Sequence, residues 1–147
     1  MRKISYIDDF ETWKEEFSFC TEISVRFSET DMFGHVNNVS TFIYFEQARI
    51  EYLTEIGVFT LEQNSECIPV AADLQCDYLK QMYFGDTLNI FVKANSIGNS
   101  SVDIHYLGIN QHDEVCLTGR GQLVNVNAAT GRSAPFTDEI REKFKNG

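Results

Sequence analysis

The chain has 147 residues, with 12 Lys and Arg against 22 Asp and Glu, for a formal charge of −10. That length supports one domain core and leaves no room for a second, so residues 1–147 are read as a single domain. The charge disfavours nucleic acid and anionic membranes as partners, because their phosphates are repelled at long range. Hydrophobic residues at 43%, charged residues at 23% and only two prolines are the composition of a folded chain without a Pro-rich linker.

Cys20, Cys67, Cys76 and Cys116 are scattered without a C-x-x-C pair, which reads as reduced thiols rather than a disulfide framework. The opening stretch Met1–Asp9 lacks the apolar centre of a signal peptide, and no apolar run reaches the length of a membrane span. A cytoplasmic location is expected.

In chain order, a short helical pattern carries Phe10, Trp13 and Phe17. From Thr21 to Phe27, Ile23, Val25 and Phe27 alternate with polar residues, the period of a strand with one buried face. The pattern turns helical from about Ser40 to Ile56, with Phe42, Phe45, Tyr52, Leu53 and Ile56 on one arc; Ser40 or Asn38 is the expected cap and Gly57 the stop. Val70, Ala72, Leu74, Cys76 and Tyr78 then alternate as one strand, and Thr87–Ile97 pairs with the segment from Val102 across the Gly98-Asn99-Ser100 turn as a hairpin. In the last strand, Val115–Val126, the apolar residues shift from odd to even positions around Gly119 and Gly121, which predicts a bulge there. A final helical pattern runs from Thr137 to Phe144 after Pro135. The sum is an α+β fold: a five-stranded, mostly antiparallel sheet wrapped around one long central helix.

Between the first strand and that helix lies Glu29-Thr30-Asp31-Met32-Phe33-Gly34-His35-Val36-Asn37-Asn38. It places a carboxylate just ahead of a helix N-terminus, where unpaired backbone N–H groups and the helix dipole favour negative charge. A carboxylate and a set of donors can supply a base or nucleophile and hydrogen bonds for an oxyanion that develops during a reaction. Taken alone, an Asp in a turn before a helix is more often a cap than a catalytic group. Gly34 permits a turn or a close ligand approach, His35 can orient Asp31 or bond to backbone, and Asn37 and Asn38 contribute chiefly through their backbone. Glu46 and Arg49 sit three apart on the helix, with Arg49 inside the apolar arc, and are expected to pair with each other or across a subunit boundary. His105 and His112 have no neighbouring ligand spacing, so no metal site is expected.

The order strand, Asp31-Met32-Phe33-Gly34-His35-Val36-Asn37-Asn38, helix, then four strands resembles the hotdog-fold acyl-CoA thioesterases of the 4-hydroxybenzoyl-CoA thioesterase type over roughly Thr21–Pro135. The resemblance extends to Tyr44-Phe45-Glu46-Gln47-Ala48-Arg49, where that family's helix carries an acidic residue and an arginine. It implies Asp31 as the catalytic carboxylate, the backbone N–H at or near Asn38 as an oxyanion donor, sites formed across a dimer, and no cofactor, CoA being part of the substrate. The octet is also similar to that of plant-type acyl-carrier-protein thioesterases, in which an Asp and a His four residues apart are both implicated; Asp31 and His35 keep that spacing, but Phe33 stands where those enzymes carry an asparagine.

The resulting expectation is an acyl-CoA thioesterase with Asp31, His35 and the Asn38 amide in catalysis and with Gly34, Asn37, Lys80 and Arg132 against the substrate. Lys93 and Arg120 are further cations in the sheet region. The partner is an acyl-CoA or acyl-carrier-protein thioester, and the assembly a homodimer or dimer of dimers, since a sheet wrapped on one helix leaves an outer face and edges to cover. The rivals are a hotdog-fold hydratase or dehydratase and a non-catalytic acyl-CoA sensor.

Overall fold

The alternation and helical arcs of the sequence become nine elements in the computed structural model, which describes residues 2–59 and 66–147. They are α1 (Phe10–Glu15), β1 (Phe19–Ser24), α2 (Ser40–Glu55), β2 (Cys67–Ala71), β3 (Gln75–Tyr78), β4 (Thr87–Ile97), β5 (Ser101–Asn110), β6 (Val115–Asn127) and α3 (Asp138–Asn146). All strand pairs are antiparallel, in the order β1-β4-β5-β6, with β2 and β3 lying end to end along the far side of β6. The sheet therefore has five positions, the last occupied by a broken strand.

Helix α2 fills the concave face. Tyr44, Phe45, Ala48, Tyr52 and Leu53 are buried against Leu88, Ile90 and Val92 of β4, Val102, Ile104 and Tyr106 of β5, and Leu117 and Leu123 of β6. Phe45 stacks on Tyr106 with ring centroids 4.4 Å apart. Burying each such large side chain removes apolar area worth roughly 1.5–3 kcal/mol from water. Gly57, at φ +81°, ends the helix as expected. Arg49 does not pair with Glu46; its guanidinium donates to the Tyr106 hydroxyl at 3.1 Å, while Glu46 is exposed. A buried phenol lets a partly exposed cation lie in the apolar arc without a carboxylate.

The irregularity expected in β6 lies elsewhere. Against β5, β6 keeps one register from Leu117 to Val124, and its bulge is at Val115–Leu117 opposite Gly108–Ile109. The break beside Gly121 is in the edge strand: Ala71 pairs with Leu123 and Gln75 with Arg120, so three residues span what two span on β6. One extra residue flips the side-chain faces. Cys76 and Tyr78 share the helix side with Gly119 and Leu117, whereas Ile68 and Val70 share the outer face with Val126 and Val124. The unbroken alternation from Val70 to Tyr78 thus concealed a change of face. Gly119 and Gly121 serve packing: a Cβ on Gly119 would lie 2.5 Å from Phe45 Cε2, and one on Gly121 2.6 Å from the Asp73 carbonyl.

The N-terminal segment covers part of the convex face, where Ile4, Ile7 and Trp13 pack on Leu107 and Ile109. His105, also on that face, accepts from Trp13 Nε1 at 2.8 Å, and its other ring nitrogen lies 2.8 Å from Asp103. Arg120 holds the second Asp103 oxygen through two nitrogens at 3.0 and 2.7 Å. His105 is therefore a structural group.

Candidate active site

The segment after β1 is built by its own polar residues. A 3-10 turn at Phe27–Glu29 brings the Glu29 carboxylate back to the Arg26 N–H at 2.9 Å and to the Arg26 guanidinium at 2.6 and 3.0 Å. The buried hydroxyl of Tyr44, from α2, donates to the same carboxylate at 2.8 Å. Burial pushes the Glu29 carboxyl up, but the Arg26 and Tyr44 hydrogen bonds outweigh it and hold the group below the ordinary carboxylate range. Glu29 is thus a charged anchor pinning the turn to the helix.

From Thr30 the chain makes a tight hairpin. The Asp31 N–H donates to the His35 carbonyl at 2.8 Å, the Gly34 N–H to the Asp31 carbonyl at 3.0 Å, and Thr30 bridges Val36. Gly34 sits at φ +79°, a conformation that disfavours a side chain. Asp31 Oδ1 accepts the N–H of Phe33 at 2.8 Å and of His35 at 3.3 Å, so the carboxylate is held by its own turn and linked to His35 through backbone. The His35 ring packs edge-on against Tyr83, centroids 5.2 Å apart. The hairpin docks on the loop after β3 through the Val36 N–H and the Met82 carbonyl at 2.8 Å.

The helix start differs from expectation. Neither Ser40 nor Asn38 caps it; the cap position is Val39, and the Asn37 side chain takes the Val39 N–H at 3.0 Å while the Asn37 carbonyl takes the Ser40 N–H at 2.9 Å. Asn37 is itself fixed by its N–H to the Glu29 carbonyl at 2.7 Å. Among the described residues the Asn38 N–H has no hydrogen-bond acceptor. It is a free donor on a residue that lines a cleft.

That cleft, of about 340 Å³, is lined by Asp31, His35, Val36, Asn38, Tyr78 and the loop Leu79–Met82. The fold brings together four expected site residues: Asp31, His35, Asn38 and Lys80. Gly34 and Asn37 shape the backbone around it without lining it. Lys80 is ion-paired to Glu114 at 2.7 Å. Arg132 lies elsewhere, in the loop after β6, where its carbonyl holds the Asn127 N–H; the cleft adjoins the opposite end of β6, where Leu117 pairs with Tyr78. Lys93 and Arg120 are engaged on the convex face with Glu16 and Asp103. A larger cavity of about 570 Å³ lies between α3 and the end of α2, but Glu55, Glu139 and Glu142 line it, which opposes an anionic substrate. The residues that sequence reasoning missed are Glu29, Tyr44, Thr41 and Tyr78. Glu29 and Tyr44 stood inside the motifs quoted above; Thr41 and Tyr78 become neighbours only through the fold.

A family profile described as the thioesterase-like superfamily matches residues 25–144. Uncharacterized protein YsmA of Bacillus subtilis (strain 168) is 46% identical over 143 residues, covering 97% of this chain and 96% of its own. A 1,4-dihydroxy-2-naphthoyl-CoA hydrolase of Prochlorococcus marinus is 25% identical, covering 82% of this chain and 83% of its own. Among solved structures, a thioesterase from Thermus thermophilus complexed with coenzyme A and Zn is 31% identical, with a TM-score of 0.77, covering 90% of this chain and 95% of that one. The chain belongs to the thioesterase-like superfamily, with the hotdog fold and the enzyme class of thioester hydrolases.

Proposed function

We propose that the chain hydrolyses an acyl-CoA thioester to a free acid and CoA, with Asp31 as the acting carboxylate and the Asn38 N–H as a donor to the oxyanion. The observation that carries this reading is that both line one cleft at the N-terminus of α2, where helix amides favour developing negative charge. Asp31 acts as base toward a water that attacks the carbonyl carbon, or as nucleophile that forms a mixed anhydride which a water then cleaves; either way the C–S bond breaks, the thiolate of CoA leaves and one water is consumed. The reaction is written with no metal or redox cofactor. Lys80, at the cleft, is the cation proposed to meet the anionic end of CoA.

The same reading takes the working unit as a homodimer, as a dimer of dimers at most, acting in the cytoplasm. Support for a second copy comes from exposed apolar side chains beside the cleft, Met32, Phe33 and Val39, and on the edge strand, Ile68 and Val70. The Thermus relative's coenzyme A supports a CoA thioester as substrate. No helix among the described residues is long and apolar enough to cross a membrane. The test is a panel of aromatic and aliphatic acyl-CoA thioesters followed with a thiol-reactive dye. Thiol release is expected; stoichiometric binding without release would make the protein a sensor, and hydroxyacyl product from crotonyl-CoA a hydratase.

A further inference from the structure

The Asn38 N–H is useful as an oxyanion donor only if the two peptide planes that meet at Asn38 are held still, because a donor that must reorient during reaction loses most of its effect. Three of the four polar groups on those planes are engaged. The Asn37 carbonyl accepts from the Ser40 N–H at 2.9 Å, and the Val39 N–H donates to Asn37 Oδ1 at 3.0 Å. The Asn38 carbonyl accepts from the Tyr78 hydroxyl at 2.6 Å and lies 2.9 Å from Thr41 Oγ1. The Asn38 N–H is the fourth group.

Three of these contacts are local to the turn, but Tyr78 reaches it from β3, forty residues on in sequence. Its hydroxyl also lies 3.0 Å from Thr41 Oγ1, so the threonine has one proton and two acceptors within reach. Thr41 is fully buried and Tyr78 lines the cleft. The Tyr78 phenol, which burial pushes further up from an ordinary value already well above neutral, is protonated and able to donate at neutral pH.

We infer that Tyr78 is a positioning residue for this reaction: with Thr41 it clamps the Asn38 carbonyl and thereby fixes the Asn38 N–H as the oxyanion donor. The inference rests on the thioesterase reading and adds to it a residue from the sheet edge. The clamp acts through Asn38 rather than on substrate, so its loss belongs in kcat rather than KM.

The experiment compares wild type, Asp31→Asn, Tyr78→Phe, Thr41→Ser, Thr41→Val and the Tyr78→Phe/Thr41→Val pair, with benzoyl-CoA and decanoyl-CoA as probes. Tyr78→Phe keeps the ring and is expected to lower kcat about tenfold with KM within about twofold of wild type. Thr41→Ser keeps the hydroxyl and should retain activity that Thr41→Val loses, and the double variant should lose less than the product of the two single losses, because both hydroxyls serve one carbonyl. Wild-type kcat in Tyr78→Phe, or a raised KM at unchanged kcat, overturns the clamp while leaving a thioesterase that needs Asp31. No thiol release by the wild type from either probe overturns the underlying reading instead, and the clamp with it.

Discussion

The Tyr44 hydroxyl donates to the buried Glu29 carboxylate at 2.8 Å, and the Glu29 backbone carbonyl accepts the Asn37 N–H at 2.7 Å. One residue therefore ties the first strand's exit, the central helix and the turn that starts the helix. Glu29→Gln removes the charge from three Arg26 contacts and leaves a neutral amide in a buried position. A loss of roughly 1–3 kcal/mol is expected by urea denaturation, with kcat lowered as well because the Asn37–Asn38 turn loosens. An unchanged midpoint would show that the anchor is dispensable.

Gly119 is required by the approach of helix to sheet. A methyl there meets Phe45 and, at 2.9 Å, the Gln75 carbonyl that belongs to the β3–β6 ladder. Backbone cannot swing away as a side chain can. Gly119→Ala should destabilise the protein by about 1–3 kcal/mol, read as a lower denaturant midpoint.

Stability should depend on pH through His105. Burial holds this imidazole below its ordinary value; Asp103 pulls it upward, while Lys93 and Arg120 push it down. The Trp13 bond to Nδ1 requires the neutral ring. The unfolded chain takes up this proton near pH 6.5, as a free histidine does, and the native state only at lower pH. The contribution is thus complete above about pH 6.5 and lost as pH falls from there through the native value. His105→Asn keeps an acceptor for Trp13 and should flatten that part of the stability profile, measured by urea midpoints from pH 7 downward. A slope equal to wild type would assign the dependence to other groups.

Lys80 stands at the cleft, half-exposed, with Glu114 as its partner. Lys80→Ala should raise KM for acyl-CoA about three- to tenfold with kcat little changed, and the KM should become less sensitive to salt. A fall in kcat at constant KM would instead place this residue in the chemical step.

Much of this molecule was legible in its sequence because the signal was periodic. The β4–β5 hairpin, the face bearing Leu88, Ile90 and Val92, and the span of α2 to within a residue follow from alternation and helical arcs. What alternation concealed was the extra residue between Ala71 and Gln75: Leu74 and Ala72 continue the apolar pattern while the chain changes face. The octet announced a carboxylate before a helix, but not that Val39 would hold the cap position, with Asn37 rather than Ser40 or Asn38 accepting the N–H groups there. That choice depends on where the Glu29 carbonyl sits, which is a tertiary fact. The outer face was expected to need other copies to cover it; Ile4, Ile7 and Trp13 cover part of it from within the chain. Thr41 and Tyr78 have no shared pattern in sequence, since only the sheet edge brings them to one carbonyl.

The Asp31 carboxylate is the group proposed to act on the thioester, and Asp31→Asn tests it with almost no change of shape. Thiol release from a turned-over acyl-CoA should fall at least about a hundredfold in kcat, with the variant's melting temperature close to wild type. Hydrolysis by Asp31→Asn at the wild-type rate would contradict the mechanism outright.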